Sequence, residues 1–242
     1  MVTTSEIYPP EKEKEGKKTI WEHYFARKIA ILIAPIFLKA GISANQISFL
    51  SLSAGIAGAG LIALGDFWLI LAGGILMQIW LVLDKTDGLV ARFRKTSTKF
   101  GEFFEELNGS LIAVLFFASI SFAASKFPGF LPDFLKISSS TFVILGILTS
   151  LFVVFRHLIN RYFEIIFQSK ETATEFFGRG LLTDLHKLTL KFSGVYSLAQ
   201  PIFIMAIISN FLGLYTLIYF IIQGVAMLAN LSFLVYKASK TR

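Results

Sequence analysis

The chain has 242 residues, of which 55% are hydrophobic and 16% are charged, with a formal net charge of +7 and no cysteine. Soluble globular proteins keep about a quarter of their residues charged, so this composition excludes an ordinary soluble domain, and the lack of cysteine excludes disulfides and thiolate metal ligands. The positive charge comes without a basic motif rich in stacking side chains. We therefore expect it near anionic lipid headgroups and in cytoplasmic loops, and we expect no nucleic-acid partner.

The first 39 residues divide into two segments. Residues 1–18 are polar and end in mixed Glu and Lys charge, which predicts a disordered cytoplasmic tail. Residues 19–39 carry apolar side chains at helical spacing, opposed by charged residues that include Arg27 and Lys28. This pattern predicts an amphipathic helix that lies in the membrane interface, with its cations near lipid phosphates. A short first span is the alternative, but two adjacent cations within it argue against that.

Six apolar segments follow, each long enough to cross a hydrocarbon core of ~30 Å as a helix. The sequence therefore predicts an all-α integral membrane fold, with residues 19–242 forming one domain of six transmembrane helices after the interfacial helix. The predicted spans are about 47–64, 67–84, 103–124, 142–159, 190–209 and 211–236.

The distribution of Lys and Arg predicts the orientation of these spans. Five such residues lie between 85 and 99, after the second span, and five lie between 156 and 187, after the fourth. The loops on the opposite side hold only Lys126 and Lys136. Because cytoplasmic loops carry the excess of Lys and Arg, we expect a multi-pass protein with both termini and the polar loops in the cytoplasm.

Two carboxylates lie at the end of the second span. Asp84 and Asp87 are three residues apart, so they share one helix face, which Gly88 and Ala91 continue. Acidic side chains at membrane depth are costly, and a cation between them would offset that cost. Oxygen ligands without thiols or paired histidines suit Mg²⁺ or Mn²⁺.

Further residues fit a phosphate ligand. Arg92 lies one turn beyond Gly88, and its planar guanidinium matches phosphate oxygens. On the next span Glu105 lies one turn after Gly101, so the arrangement repeats on a facing helix. These features favour a diphosphate site that holds a metal ion. The alternative is that the aspartates are solvated at a helix end and pair with Lys85 or Arg92.

These residues resemble the signature of the CDP-alcohol phosphotransferase family, D-x-x-D-G-x-x-A-R followed after eight residues by G-x-x-x-D-x-x-x-D. Asp84, Asp87, Gly88, Ala91, Arg92 and Gly101 match it in type and spacing. The segment 43–48, SANQIS, resembles the one that opens the first span of the family, with Ala44 in place of proline. The resemblance covers about residues 21–236, and the family's interfacial helix and six spans agree with the hydropathy.

The resemblance implies a transferase that moves a phosphatidyl or phospho-alcohol group from a CDP-alcohol to an acceptor alcohol and releases CMP. Asp84, Asp87 and Glu105 would then hold Mg²⁺ or Mn²⁺, with Glu105 in place of the third aspartate. CDP-diacylglycerol is one candidate donor, membrane lipids are partners, and a homodimer is one assembly consistent with this interpretation. Residues that would contact the donor or its phosphates are Asn45, Gly88, Ala91, Arg92, Gly101 and Arg156.

The fourth acid of the family pattern, which would serve as the general base, is Gly109 here. Three alternatives remain open: Glu106 or Asn108 substitutes for it, Glu102 joins the metal site, or the acceptor itself supplies the base. We take Glu106 and Asn108 as the catalytic candidates. A non-catalytic homologue that binds CDP or lipid is the second hypothesis for function.

Overall fold

The computed structural model describes residues 19–131, 135–167 and 192–240, and this part of the chain is mainly helical, with no strand. The predicted tail, 1–18, lies outside the described residues. A short π-helical segment, Glu22–Ala26, leads into α1, and six further helices follow. Their bounds are α1 Arg27–Lys39, α2 Ala44–Leu64, α3 Phe67–Arg94, α4 Lys99–Lys126, α5 Ser139–Phe167, α6 Ala199–Ile208 and α7 Leu212–Lys240.

Five of these helices are long and apolar enough to cross a membrane: α2, α3, α4, α5 and α7. They confirm five of the six predicted spans. The predicted span 190–209 begins outside the described residues and contains α6, an apolar helix of 10 residues. At 1.5 Å per residue such a helix covers roughly half of the hydrocarbon core. A sixth crossing therefore stays a prediction, as does the interfacial position of the first helix.

The α2–α3 hairpin is set by local sequence. Gly65 ends α2 with φ +79°, a left-handed conformation that glycine adopts at little cost. The carboxylate of Asp66 then accepts hydrogen bonds from the backbone N–H groups of Trp68 and Leu69, at 3.0 and 3.3 Å, and caps the start of α3. The two helices therefore run antiparallel.

Glycines let α2 and α3 pack closely. A Cβ atom built at Gly73 would lie 2.6 Å from the carbonyl oxygen of Gly58 and 2.9 Å from the backbone nitrogen of Ile62. Small residues at such a crossing let the backbones of the two helices approach each other closely. This contact fixes the distance between the two helices whose other ends carry Asn45 and Asp87.

The N-terminal helical segment is tied to the bundle by polar contacts. Trp21 Nε1 donates to Gln78 Oε1 at 2.8 Å, and Gln78 Nε2 donates to Gln200 Oε1 at 2.7 Å. At the other end of α3, the Arg94 guanidinium donates to the carbonyl oxygens of Ile42 and Leu38, at 2.9 and 3.2 Å. These bonds satisfy orphan carbonyls at the end of α1 and hold α1 along α3.

Candidate active site

The helix α3 continues ten residues past the predicted end of its span. It ends at Arg94, so the whole segment from Asp84 to Arg92 is helical. The side chains of Asp84 and Asp87 are buried. The predicted shared face is therefore present, and it lies inside the helix bundle and not in a polar loop.

A cavity of about 330 Å³ lies between the start of α2, the end of α3 and the start of α4. It contains seven of the predicted site residues. These are Asn45, Asp87, Gly88, Ala91, Arg92, Gly101 and Glu105, and Ser48 and Glu102 also line it. We call it the motif cavity.

Asp87 is held in place from the neighbouring helix. The hydroxyl of Ser48 on α2 donates a short hydrogen bond to Asp87 Oδ2. Arg92 folds back over Gly88, because a Cβ built at Gly88 would lie 3.2 Å from Arg92 Nη2. The absence of a side chain at Gly88 thus leaves space for the Arg92 guanidinium.

Asp84 lies behind the cavity wall with an incomplete set of partners. Its buried Oδ1 has no hydrogen-bond partner, while the Lys85 ammonium lies 3.0 Å from Oδ2. The same ammonium is 3.8 Å from Glu22 Oε1, and Glu22 also pairs with Arg27 at 2.8 Å. The pairing of Asp84 with Lys85 that the sequence left open is therefore present.

Glu22 stays anionic in this network. Burial raises the pKa of Glu22, but Lys85, the Thr19 hydroxyl and Arg27 together outweigh that effect, so the pKa lies below its ordinary value. Lys85 is consequently shared between two carboxylates. The Lys85 ammonium therefore neutralises the charge of Asp84 only in part.

The donor set suits a hard divalent cation. Asp84 and Glu105 both act electrostatically on Asp87, so three carboxylates lie near one another, and the buried Oδ1 of Asp84 lacks a hydrogen bond. Among the residues that the structure describes, no group of three or more acidic or histidine side chains is already arranged as a closed ligand set. The chemistry of these residues fits Mg²⁺ or Mn²⁺, while a closed coordination geometry is not present.

A second, larger cavity of about 910 Å³ lies on the other side of Glu105. It is bounded by α4, α5 and the turn before α6, and we call it the distal cavity. Glu102 and Glu105 line both cavities, which makes these acids the wall between them. The other lining residues include Lys85, Glu106, Gly109, His157, Arg161 and Tyr196.

The remaining predicted residues occupy different places. Glu106 lines the distal cavity and forms a close ion pair with Arg161. Asn108 is buried between helices, where its Oδ1 accepts from Trp80 Nε1 at 3.1 Å, and it lines neither cavity. Arg156 Nη1 donates to Ser193 Oγ at 2.9 Å, and Arg156 lines neither cavity. The structure thus does not bring Asn108 or Arg156 together with the motif residues.

Sequence reasoning assigned no role to Ser48 or Tyr196. Ser48 belongs to the segment that resembles the opening of the family's first span, and its position one residue after Ile47 could have indicated a polar contact. Tyr196 lies in a predicted apolar span, and nothing in its local sequence distinguishes it. Only the fold brings it next to Gly109.

Comparison with known proteins agrees with this site. No individual curated protein sequence matches the chain. The model of one family, described as CDP-alcohol phosphatidyltransferase, matches residues 41–236. That match spans most of the chain and includes both cavities, and the chain therefore belongs to the CDP-alcohol phosphatidyltransferase family.

Proposed function

We propose that this protein is a membrane transferase that moves a phosphatidyl or phospho-alcohol group from a CDP-alcohol to an acceptor alcohol, releases CMP and serves phospholipid biosynthesis. Family membership supports transfer from a CDP-alcohol. The observation that carries the proposal is the motif cavity, where Asp87 and Glu105 face Arg92 in a space bounded by small residues. Carboxylates beside an arginine fit a diphosphate that arrives with a divalent cation.

In this proposal Asp84, Asp87 and Glu105 hold Mg²⁺ or Mn²⁺. The cation would supply charge neutralisation for the diphosphate and for the CMP that leaves. The Arg92 guanidinium binds a phosphate oxygen, and Gly88 and Ala91 let the nucleotide approach the α3 backbone. Asn45 and Gly101 line the rest of the donor site.

The distal cavity is the proposed acceptor site, because it adjoins the motif cavity across Glu105. The acceptor hydroxyl oxygen forms a bond to the donor phosphorus that carries the alcohol, and the bond from that phosphorus to the CMP oxygen breaks. The hydroxyl proton passes to the Glu106 carboxylate, which lines this cavity. CMP departs with the bridging oxygen. Arg161, paired with Glu106, sets the position of that carboxylate.

CMP release is the experiment that tests the proposal. The purified protein in lipid nanodiscs would receive Mg²⁺, CDP-diacylglycerol or a water-soluble CDP-alcohol, and a panel of polyols and amino alcohols with their phosphate esters. Acceptor-dependent CMP release that disappears on chelation of Mg²⁺ supports a transferase. Mg²⁺-dependent CDP binding without CMP release from any pair of substrates would instead identify a non-catalytic homologue, the second candidate, which the missing fourth acid at Gly109 favours.

Glu106→Gln tests the assignment of the base in the same assay. An amide cannot take the proton, and a positioned base contributes roughly 10²- to 10⁴-fold to a rate. A loss of that size in kcat with unchanged CDP binding supports Glu106. A variant as active as the unmodified protein would assign the role of base to the acceptor's own anionic group.

We further propose that both termini and both cavities lie on the cytoplasmic side. The five Lys and Arg residues between 85 and 99, at the end of α3 and the start of α4, support this orientation. A reporter fused after Arg94 or Arg242 should give a cytoplasmic signal, and one fused after Lys126 should give a signal from the opposite side. The reverse pattern would refute the orientation.

A further inference from the structure

Gly109 has no room for a side chain in this fold. A Cβ atom built there would overlap the hydroxyl oxygen of Tyr196 and would lie 3.4 Å from Tyr196 Cζ. The family pattern places an acid at this position of α4. In this chain a phenolic hydroxyl fills the space into which that acid would extend.

Contacts from two other elements hold Tyr196 in this position. Its carbonyl oxygen accepts a hydrogen bond from the backbone N–H of Glu22 at 3.2 Å. Its ring centroid lies 5.3 Å from that of Trp80, and the Lys85 ammonium lies 4.2 Å from the ring centroid. An aromatic ring packed against a second ring and under a cation is a well-oriented group. The hydroxyl position is therefore set by the N-terminal helical segment and by α3.

We propose that Tyr196 replaces the missing fourth acid as the group that receives the acceptor alcohol, with its hydroxyl hydrogen-bonded to the acceptor hydroxyl in the distal cavity. This inference rests on the proposed function. Tyr196 lines the distal cavity together with Gly109, Glu105 and Glu106, and its hydroxyl lies against Gly109.

The chemistry of a phenol makes this a positioning role. A phenol holds its proton at neutral pH. The hydroxyl can donate one hydrogen bond and accept another, which a carboxylate cannot do. Tyr196 thus orients the acceptor oxygen, while the proton leaves to Glu106.

Tyr196→Phe removes this hydrogen bond and keeps the ring. One hydrogen bond to a neutral group corresponds to roughly a 3- to 10-fold change. We expect the KM for the best acceptor of the panel to rise by about that factor, with the KM for the donor and the Mg²⁺-dependent CDP affinity unchanged. Equal acceptor KM and kcat in Tyr196→Phe and the unmodified protein would overturn the inference.

A swap of the two positions gives an independent test. Gly109→Asp alone should lose CMP release, because the new side chain collides with the Tyr196 hydroxyl. In Gly109→Asp/Tyr196→Phe the closest remaining contact is the 3.4 Å to Cζ, an ordinary van der Waals distance. That double variant should release CMP faster than Tyr196→Phe, because it restores a carboxylate at the family's position.

Gly109→Ala/Tyr196→Phe is the matched control, since alanine fills the space without a carboxylate and should give no gain. A Gly109→Asp variant that speeds CMP release with Tyr196 in place would also overturn the inference. The two kinds of failure can be told apart. If the proposed function is wrong, the unmodified protein releases no CMP. If only the inference about Tyr196 is wrong, the protein releases CMP and Tyr196→Phe does not change that release.

Discussion

The two cavities share Glu102 and Glu105 but are built in different ways. The motif cavity draws its lining from two short stretches of sequence, 44–48 and 87–105, on helices joined by tight connections. The distal cavity combines α4 with His157 and Arg161 from α5 and with Tyr196 from the turn before α6. A site encoded by helical spacing within one stretch can be read from sequence, whereas one assembled across the bundle depends on tertiary packing.

The largest effect is expected at the carboxylates of the motif cavity. Asp84→Asn or Asp87→Asn keeps the side-chain volume and removes the anion that would hold the cation. Loss of residues that only support metal ligands costs about 10- to 100-fold in metal affinity, so loss of a ligand should weaken Mg²⁺-dependent CDP binding by at least about 100-fold. Titration calorimetry with CDP, with and without Mg²⁺, measures this effect.

Asp66→Asn is the matched control for these variants. Asp66 lies at the opposite end of α3, where it caps the helix, and asparagine also serves as an N-cap. CDP binding should be unchanged in this variant. Unchanged CDP affinity in both Asp84→Asn and Asp87→Asn would refute the metal site.

A smaller effect on CDP binding is expected from loss of the hydrogen bond that joins α2 to α3 at the motif cavity. Ser48→Ala removes the hydroxyl on α2 that donates to Asp87. We expect roughly a 10-fold loss of Mg²⁺-dependent CDP affinity, at the lower end for a group that supports a metal ligand. The same calorimetric titration reports it.

Ser53→Ala controls for the loss of a serine from α2. The Ser53 hydroxyl donates to the carbonyl oxygen of Phe49 in its own helix, at 2.8 Å, and it is exposed. CDP affinity should not change. If CDP affinity is the same in Ser48→Ala and Ser53→Ala, the hydrogen bond to Asp87 has no part in ligand binding. CDP binding would then depend on the residues of the 87–105 stretch without support from Ser48.

These contrasts explain how much of the fold and the site could be predicted. Runs of apolar residues indicated α2, α3, α4, α5 and α7 because each crosses the apolar core with little interruption. The helix α3 extends ten residues beyond the predicted end of the second span, because hydropathy falls at Asp84 while the helix persists. Its last turns are stabilised by tertiary contacts, such as the Arg94 bonds to α1, that no local window contains.

The site shows the same division. Helical spacing predicted that one group of residues lies together, and the structure places them in one cavity: Asp87, Gly88, Ala91 and Arg92. Asn108 was chosen for its position near Gly109, but it faces Trp80. Tyr196 is 87 residues from Gly109 along the chain, and no spacing rule connects them. The contact between Tyr196 and Gly109 thus depends on long-range packing, which local sequence patterns do not reveal.

The packing of α2 on α3 should matter for stability more than for ligand affinity. In Gly73→Ala the new methyl group meets backbone atoms of Gly58 and Ile62, which cannot move without shifting the helix. We expect a loss of about 1–3 kcal/mol, as for other overpacked sites, measured by thermal or denaturant unfolding in detergent.

Gly60→Ala is the matched control on α2. A Cβ atom at Gly60 has no neighbour within 4 Å, and alanine favours a helix over glycine. Stability should be equal or slightly higher. A Gly73→Ala variant as stable as Gly60→Ala would show that the close crossing does not fix the distance between α2 and α3.

The smallest effects are expected at the start of α2, where some residues cap the helix and others line the motif cavity. Ser43 and Gln46 form a capping box, with Ser43 N–H donating to Gln46 Oε1 at 2.8 Å and Gln46 N–H donating to Ser43 Oγ at 3.3 Å. Ser43→Ala should cost about 1 kcal/mol of stability. Because Ser43 does not line the cavity, CDP affinity should stay the same.

Asn45→Ala should give the opposite result, since the Asn45 side chain is exposed and lines the motif cavity between these two capping residues. Its loss should weaken CDP binding by several-fold, as for one hydrogen bond, and leave the unfolding midpoint unchanged. Calorimetry and thermal unfolding on both variants form a crossed comparison within three residues. If Ser43→Ala also weakens CDP binding, the cavity depends on the exact start of α2, and the residues of the motif alone do not define the donor site. If Asn45→Ala lowers stability and leaves CDP binding intact, Asn45 has a structural role and its assignment to the donor site is wrong.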